Sequence, residues 1–325
     1  MKSGRYNISA VVYDSVVVRI LKTPVMCFCY NIFKDNKKMC NKSKVKGDTF
    51  EYNILFKTFE SKNIQTVINS LQPSFADIAK NLGVNSNTQW IIRTYLASKM
   101  ILASSVMLTS AEYAECKNLR IVMPYLMYYS LLSCARAVVF TNPRYEWKEE
   151  LVTMNHSKTI NIVGDIVSRY DKEEGKNIEL FIDKSRIYRE IFSYKFPAEG
   201  LRGMNLNFEK VVEICSLLAE IAQLQSAILE SAITKHCKEK YDIDDVEFRK
   251  LYLYDEKGFK FFDSEDGYRL DYIKRKVSRP YSIINTMTEG MVEDFFGSWC
   301  GDDEDENYEE LYNPDQNWRI IFPVP

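Results

Sequence analysis

Between Ile121 and Tyr170 the apolar positions recur at helical spacing on both sides of a polar break. Leu126, Leu131, Leu132, Ala135, Val138 and Val139 fall at three- and four-residue steps, which gathers them on one face of a helix. Pro124 suits the first turn of that helix, because its φ is already helical and the N–H it lacks would be unpaired there. The pattern predicts a helix to about Phe140, ended by Asn142-Pro143, since the residue before a proline is pushed out of the helical region. Ser157 is the expected cap of the next helix, whose stripe is Ile160, Val163, Ile166, Val167 and Tyr170. Arg136 lies within the apolar surface of the first.

The same reading extends along the chain. Asn63–Leu71 and Phe75–Leu82 read as two short helices separated by Gln72-Pro73, with Gly83 as a stop. Asn87 or Thr88 then caps a longer helix to about Thr109. DKEEGKN after Tyr170 reads as a polar turn, Ile178–Ile182 as a short strand or helix, and Lys184–Phe196 as a basic amphipathic helix. Asn207 caps the longest stripe, from Phe208 to about Cys237. Two regions are rich in β-branched and aromatic residues: residues 6–33, read as a small N-terminal β element, and the stretch around Glu256-Lys257-Gly258, read as a hairpin. The expected organisation is a β-rich segment over 1–52, a helical domain over 53–240 and a mixed α/β extension over 241–325. The apolar ending from Trp318 is expected to dock on the body.

The run PYLMYYSLLSCARAVV followed by NHSKTINIV resembles the HEPN superfamily of helical bundles, and within it YaaC-like proteins. The likeness rests on a Tyr-Tyr pair, an Ala-Arg-Ala step and a histidine opening the next helix, and it spans about Asn53 to Tyr170. It implies a mainly α fold built on an HEPN-like bundle. It also implies a second copy as partner in a homodimer, and RNA binding or RNA cleavage in a bacterial antiphage defence or toxin–antitoxin setting. Nuclease members carry an Arg followed within a few residues by a His. Neither His156 nor His236 has an Arg so placed, so cleavage would use a non-standard site. A non-catalytic sensor, antitoxin-like partner or scaffold in a protein complex is the competing reading.

Composition narrows the chemistry. A hydrophobic content of 46% over 325 residues supports a sizeable core. The formal net charge of −2 excludes a chain that coats nucleic acid with a global basic field, so any such contact is local. Local basic strips occur at residues 34–46, with six lysines against one aspartate, and at Asp271–Arg279, while residues 301–306 are acidic. The 8 cysteines are scattered, which favours reduced thiols. Cys27, Cys29 and Cys40 lack the second close pair of a structural zinc site, so no metal is expected. No Gly-rich phosphate cradle or Gly-x-Ser-x-Gly elbow occurs, and no cofactor is expected. Ile8–Phe33 is interrupted by Asp14, Arg19, Lys22 and Pro24, so no membrane span and no membrane partner are expected, and a cytoplasmic location follows.

The candidate catalytic residues are His156, as a base that needs an orienting partner, and Arg136, which must find a carboxylate, carbonyl or phosphate. Asn155, Arg136 or Tyr129 would orient the imidazole, and Glu149 or Asp165 would pair with Arg136. Substrate contacts are expected from Asn155, Tyr129, Lys184, Arg186 and Arg189.

Overall fold

A computed structural model describes residues 45–202, 207–244, 262–300 and 312–325, without the side chains of Glu149, Asp315 and Gln316. These residues belong to one compact unit, Lys42–Pro325. Its helices in chain order are α1 (Asn53–Thr58), α2 (Ser61–Lys80), α3 (Val84–Cys116), α4 (Met123–Thr141), α5 (Glu149–Val152), α6 (His156–Val167), α7 (Lys172–Tyr194), α8 (Phe208–His236), α9 (Ser264–Lys276), α10 (Ile283–Thr286) and α11 (Glu289–Gly297). The unit is mainly helical, with no strand among the described residues.

Helix α4 is the hub, packed by α3, α6, α7 and α8. Its burial is nearly all round: Met127, Tyr128, Leu131, Leu132, Cys134, Ala135, Ala137, Val138, Val139 and Phe140 are all at most 2% exposed. Small side chains at Ser130, Cys134, Ala135 and Ala137 let neighbouring backbones approach closely. Helix α8 is the second interior helix, lying against α2, α4 and α1.

Helix α8 also carries buried polar residues that serve its neighbours. Glu220 Oε1 accepts the Ile54 N–H at 3.1 Å and its Oε2 the Leu55 N–H at 2.7 Å, satisfying donors at the start of α1. Further along, Gln223 Oε1, Ser226 Oγ and Glu230 Oε2 accept the N–H groups of Ile284, Ile283 and Ser282, at the start of α10. Helix α9 is tied to α3 by Asp266, fully buried, which accepts from the Tyr95 hydroxyl at 2.6 Å and pairs with Lys99, and α11 is tied to α9 by Arg269 with Asp294 at 2.8 Å. Ile321, Phe322 and Val324 are buried in the same core, with Phe322 stacked on Phe50 at 5.2 Å.

Several boundaries differ from the sequence reading. Pro73 does not split α2. It sits on the exposed side, as does Asn69 four residues before it, while Ile64, Val67, Ile68, Leu71, Phe75 and Ala79 stay on one buried face. The carbonyl freed by the missing N–H therefore faces water, and the buried stripe outweighs the local break. Gly83 starts α3 instead of stopping α2: its N–H donates to Ser86 Oγ at 2.9 Å, and α3 runs on past Thr109 to Cys116. Asn87 and Thr88 are buried inside α3, where Asn87 Nδ2 donates to the Ser278 carbonyl and Thr88 Oγ1 accepts the Asp244 N–H. The polar stretch after Tyr170 is the first turns of α7, capped by Asp171 accepting from the Glu174 N–H, and the whole segment to Tyr194 is one helix. Gly175 does not break it, because a close crossing with α6 requires a residue without Cβ there.

The described part of the expected mixed C-terminal extension is helical. The N-terminal β element, the lysine run to residue 44, the cysteines at 27, 29 and 40, the hairpin around Gly258 and the acidic run at 301–306 lie outside the described residues.

The expectation that no segment spans or meets a membrane is corrected. Val84–Cys116, Arg120–Thr141 and Phe208–His236 are each long and apolar enough to cross one, by length and composition. Each of these helices contains an 18-residue apolar window with no more than two Asp, Glu, Lys or Arg residues, although charged residues occur elsewhere along it. Their apolar windows are 83%, 61% and 89% buried inside the protein, so most of this surface is covered by other helices of the same chain.

Two predictions follow from this packing. Burial raises the Glu220 carboxyl to about 7, although the N–H groups of α1 pull it down. The folded state therefore holds a proton that the unfolded state has released above about pH 4.5, and stability falls as pH rises from there through 7. Urea midpoints of the wild type should drop across that window, by on the order of 3 kcal/mol in unfolding free energy, whereas Glu220→Gln should show a flatter profile; parallel profiles would refute the assignment. A Cβ at Gly175 would clash with the Ser168 hydroxyl and lie 2.5 Å from its backbone N, whereas one at Gly290 would meet nothing within 4 Å. Gly175→Ala should lose roughly 1–3 kcal/mol from overpacking and Gly290→Ala gain up to about 1 kcal/mol from helix propensity, as read from thermal denaturation.

Candidate functional site

Three helices converge on one histidine. His156 is the first residue of α6, and the cap of that helix is Asn155, whose Oδ1 accepts the Lys158 N–H at 2.9 Å. The expected cap, Ser157, is exposed and already within the helix. With Asn155 extended at the cap, the imidazole is carried toward α4. There the Tyr128 hydroxyl lies 2.8 Å from His156 Nδ1, and Tyr129 presents itself edge-on to the imidazole, with ring centroids 6.1 Å apart and planes at 88°.

Helix α7 closes the group. The Arg189 guanidinium lies 5.3 Å from the Tyr128 ring centroid and 5.6 Å from that of Tyr129, close enough for cation–π attraction to both. One turn away, Arg186 is held by Asp183 and Glu190, each at 2.9 Å. Glu190 is also 3.8 Å from Arg189. Arg136, two turns along α4 from the tyrosine pair, completes the cationic set. Among the described residues its Nε is buried without a hydrogen-bond partner, and so is the Nε of Arg189.

These placements set the electrostatics. Burial pushes the His156 imidazolium below its ordinary value, and the positive charges of Arg136, Arg189 and Arg186 push it further, against a smaller pull from Glu190. His156 is therefore neutral at pH 7. Burial raises the Tyr128 phenol to about 12 against the nearby Arg189 and Arg186, so its hydroxyl keeps its proton. Burial also lowers Arg136, opposed only by Tyr128 and Tyr129. No carboxylate pairs with it among the described residues. Asp165, one expected partner, is exposed and bears on Tyr145, and the Glu149 side chain lies outside the described residues.

The structure thus brings together Arg136, His156, Tyr129, Arg186 and Arg189. It leaves two of the expected substrate contacts elsewhere: Asn155 is engaged as a helix cap, and Lys184 lies over the Tyr188 ring at 5.5 Å, about 200° around α7 from Arg186 by the helical step. Sequence reasoning missed Tyr128, which orients the ring in place of Asn155, Arg136 or Tyr129. A usable signal was present: Tyr128 shares the buried stripe of α4 with Leu131, Leu132 and Ala135, and a buried phenol needs a hydrogen-bond partner.

Chemically, the arrangement offers a neutral imidazole fixed through one nitrogen and, at Arg136, a guanidinium with no carboxylate partner among the described residues. With only two histidines in the chain, the electrostatics are directly measurable. The imidazole carbon resonance of His156, assigned with His236→Gln, should titrate below 6.5, the ordinary histidine value, and should move upward in Arg136→Ala. An unchanged midpoint in that variant would remove the guanidinium from the histidine's surroundings.

Comparison with known proteins finds no matching family model, no matching curated protein and no matching solved structure.

Proposed function

We propose that the chain is an RNA-binding protein that docks phosphates on Arg136 and Arg189 beside His156, in an HEPN-like and YaaC-like setting of bacterial defence. The observation that carries this reading is the pair of buried guanidinium Nε atoms, on Arg136 and Arg189, without hydrogen-bond partners among the described residues, both groups close enough to act on the charge of His156. Arg189 has Glu190 at 3.8 Å, but Arg136 has no carboxylate partner among the described residues; a buried charge left so is costly and is relieved by an anion with several acceptors, and phosphate fits the guanidinium fork. Tyr129, 37% exposed, supplies a ring edge at the same place.

The same geometry supports a cleavage step. With Nδ1–H donating to the Tyr128 oxygen, Nε2 carries the free lone pair and takes the proton of a ribose 2′-hydroxyl. The resulting oxyanion attacks the adjacent phosphorus, the bond to the 5′-oxygen breaks, and that oxygen leaves with a proton from water. The guanidinium groups stabilise the charge that builds on phosphorus. A second reading, recognition without cleavage, is favoured by one feature: both carboxylates of the group, Asp183 and Glu190, are held by Arg186, and Glu190 also by Arg189, so among the described residues the group has no free carboxyl to protonate the leaving oxygen.

Labelled single-stranded RNA distinguishes these outcomes. Arg136→Ala should weaken binding by roughly tenfold or more, as loss of a charged hydrogen bond to phosphate does, and should reduce the salt dependence of binding. If cleavage occurs, His156→Ala should abolish it with binding retained. The wild-type rate should rise with pH through the depressed histidine value and level off above 6.5. Intact RNA with wild-type and variant alike supports recognition alone, and absence of RNA binding by the wild type would end the proposal.

A further inference from the structure

A second feature lies at the opposite end of α6 and owes nothing to the histidine site. The loop after α4 and the start of α3 enclose a cleft of about 340 Å³ walled by Trp90, Tyr145 and Trp147, with Pro143 at its edge. That volume is within the usual range for a small-molecule site. Its floor is Arg93, only 3% exposed. The Arg93 guanidinium lies 3.9 Å from the Trp90 ring centroid and donates to three carbonyls, those of Phe140 at 2.6 Å, Asn142 at 2.6 Å and Tyr145 at 2.8 Å. This fixes the loop that carries Tyr145 and Trp147 and leaves a buried positive charge with no carboxylate partner among the described residues.

Two more guanidiniums, outside the lining of the cleft, lie close enough to Tyr145 of its wall to act on that hydroxyl. Arg169 donates to the Ser70 hydroxyl at 3.0 Å and makes no ion pair among the described residues; Arg144 makes no side-chain bond or ion pair among them. Their charges act on each other and on the Tyr145 hydroxyl, on which Asp165 also bears. The rim carboxylate, Glu146, is taken by Lys148 at 2.6 Å. The result is an aromatic slot with cationic surroundings, a combination that suits a flat ring carrying an anion.

We propose that this cleft is a nucleotide site, with a base ring held against Trp147 and Tyr145 and the attached phosphate bound by Arg144 and Arg169. None of the residues that line it belongs to the histidine site. The ligand is either a free mononucleotide or one unit of an RNA strand, and the shared chemistry is the base with its phosphate.

Isothermal titration calorimetry on the full chain tests the assignment, using AMP and UMP, the matching nucleosides, and a short single-stranded oligoribonucleotide. The variants are Trp147→Ala and the double variant Arg144→Ala/Arg169→Ala, each checked for helix content by circular dichroism. Mononucleotide binding that falls roughly tenfold or more without the phosphate or without the two arginines supports a free nucleotide as the ligand. Cleft-dependent binding of the oligoribonucleotide alone supports an RNA unit. Binding that survives in both variants, that is as strong for nucleosides, or that is lost only in Arg136→Ala overturns the proposal. The last result would assign the signal to the histidine site, so the two readings fail separately.

Discussion

A helix enclosed on nearly every side must settle all its polar groups within the protein, and α4 is such a helix. Its surface is covered by α3, α6, α7 and α8. Each polar side chain on it is therefore either satisfied locally or directed to the one margin where the enclosure opens. Ser130 returns a hydrogen bond to the Met127 carbonyl, and Thr141 bonds back to the preceding turn and to Gln225 of α8. Tyr128 and Arg136 have no such local answer. The phenol reaches across to His156, and the guanidinium is left with an unsatisfied Nε. The site is thus the place where the packing of α4 leaves polar capacity unspent.

The other interior helix follows the same rule by a different route. Helix α8 places Glu220, Gln223, Ser226 and Glu230 at steps of three and four residues, on one side, where they receive the free N–H groups of α1 and α10. Its polar residues act as remote caps, and two short helices too small to be stable alone are ordered by a long one. The raised Glu220 carboxyl marks the cost of keeping such a cap out of water.

Cationic surfaces collect at both ends of α6. At its start, three arginines surround a neutral histidine; at its end, two arginines flank an aromatic cleft. The near-zero net charge of the chain hides both. The carboxylates that balance the total are engaged elsewhere, as Asp266 is with Lys99 or Glu213 with Lys57 and Lys210. Three helices that meet the length and composition of membrane spans belong to the same economy of packing: their apolar windows cover one another more than they face outward.

Local pattern alone located α4, α8 and the ends of both, because a proline at the first turn and an asparagine cap at Asn207 are decided by backbone chemistry within a few residues. It also placed the apolar C-terminus on the body, since Phe322 has no stable alternative in water. Tertiary packing decided the rest. Pro73 and Gly175 look like breaks until the solvent-facing carbonyl of one and the close crossing of the other are known. Gly83 reads as a stop until Ser86 turns it into a start. The site divides in the same way. His156 and Arg136 are recognisable as unusual residues for their positions, but which tyrosine holds the imidazole, and which carboxylate fails to reach the guanidinium, depend on distances between helices that are far apart in sequence. Such distances are set by packing and carry no local signature.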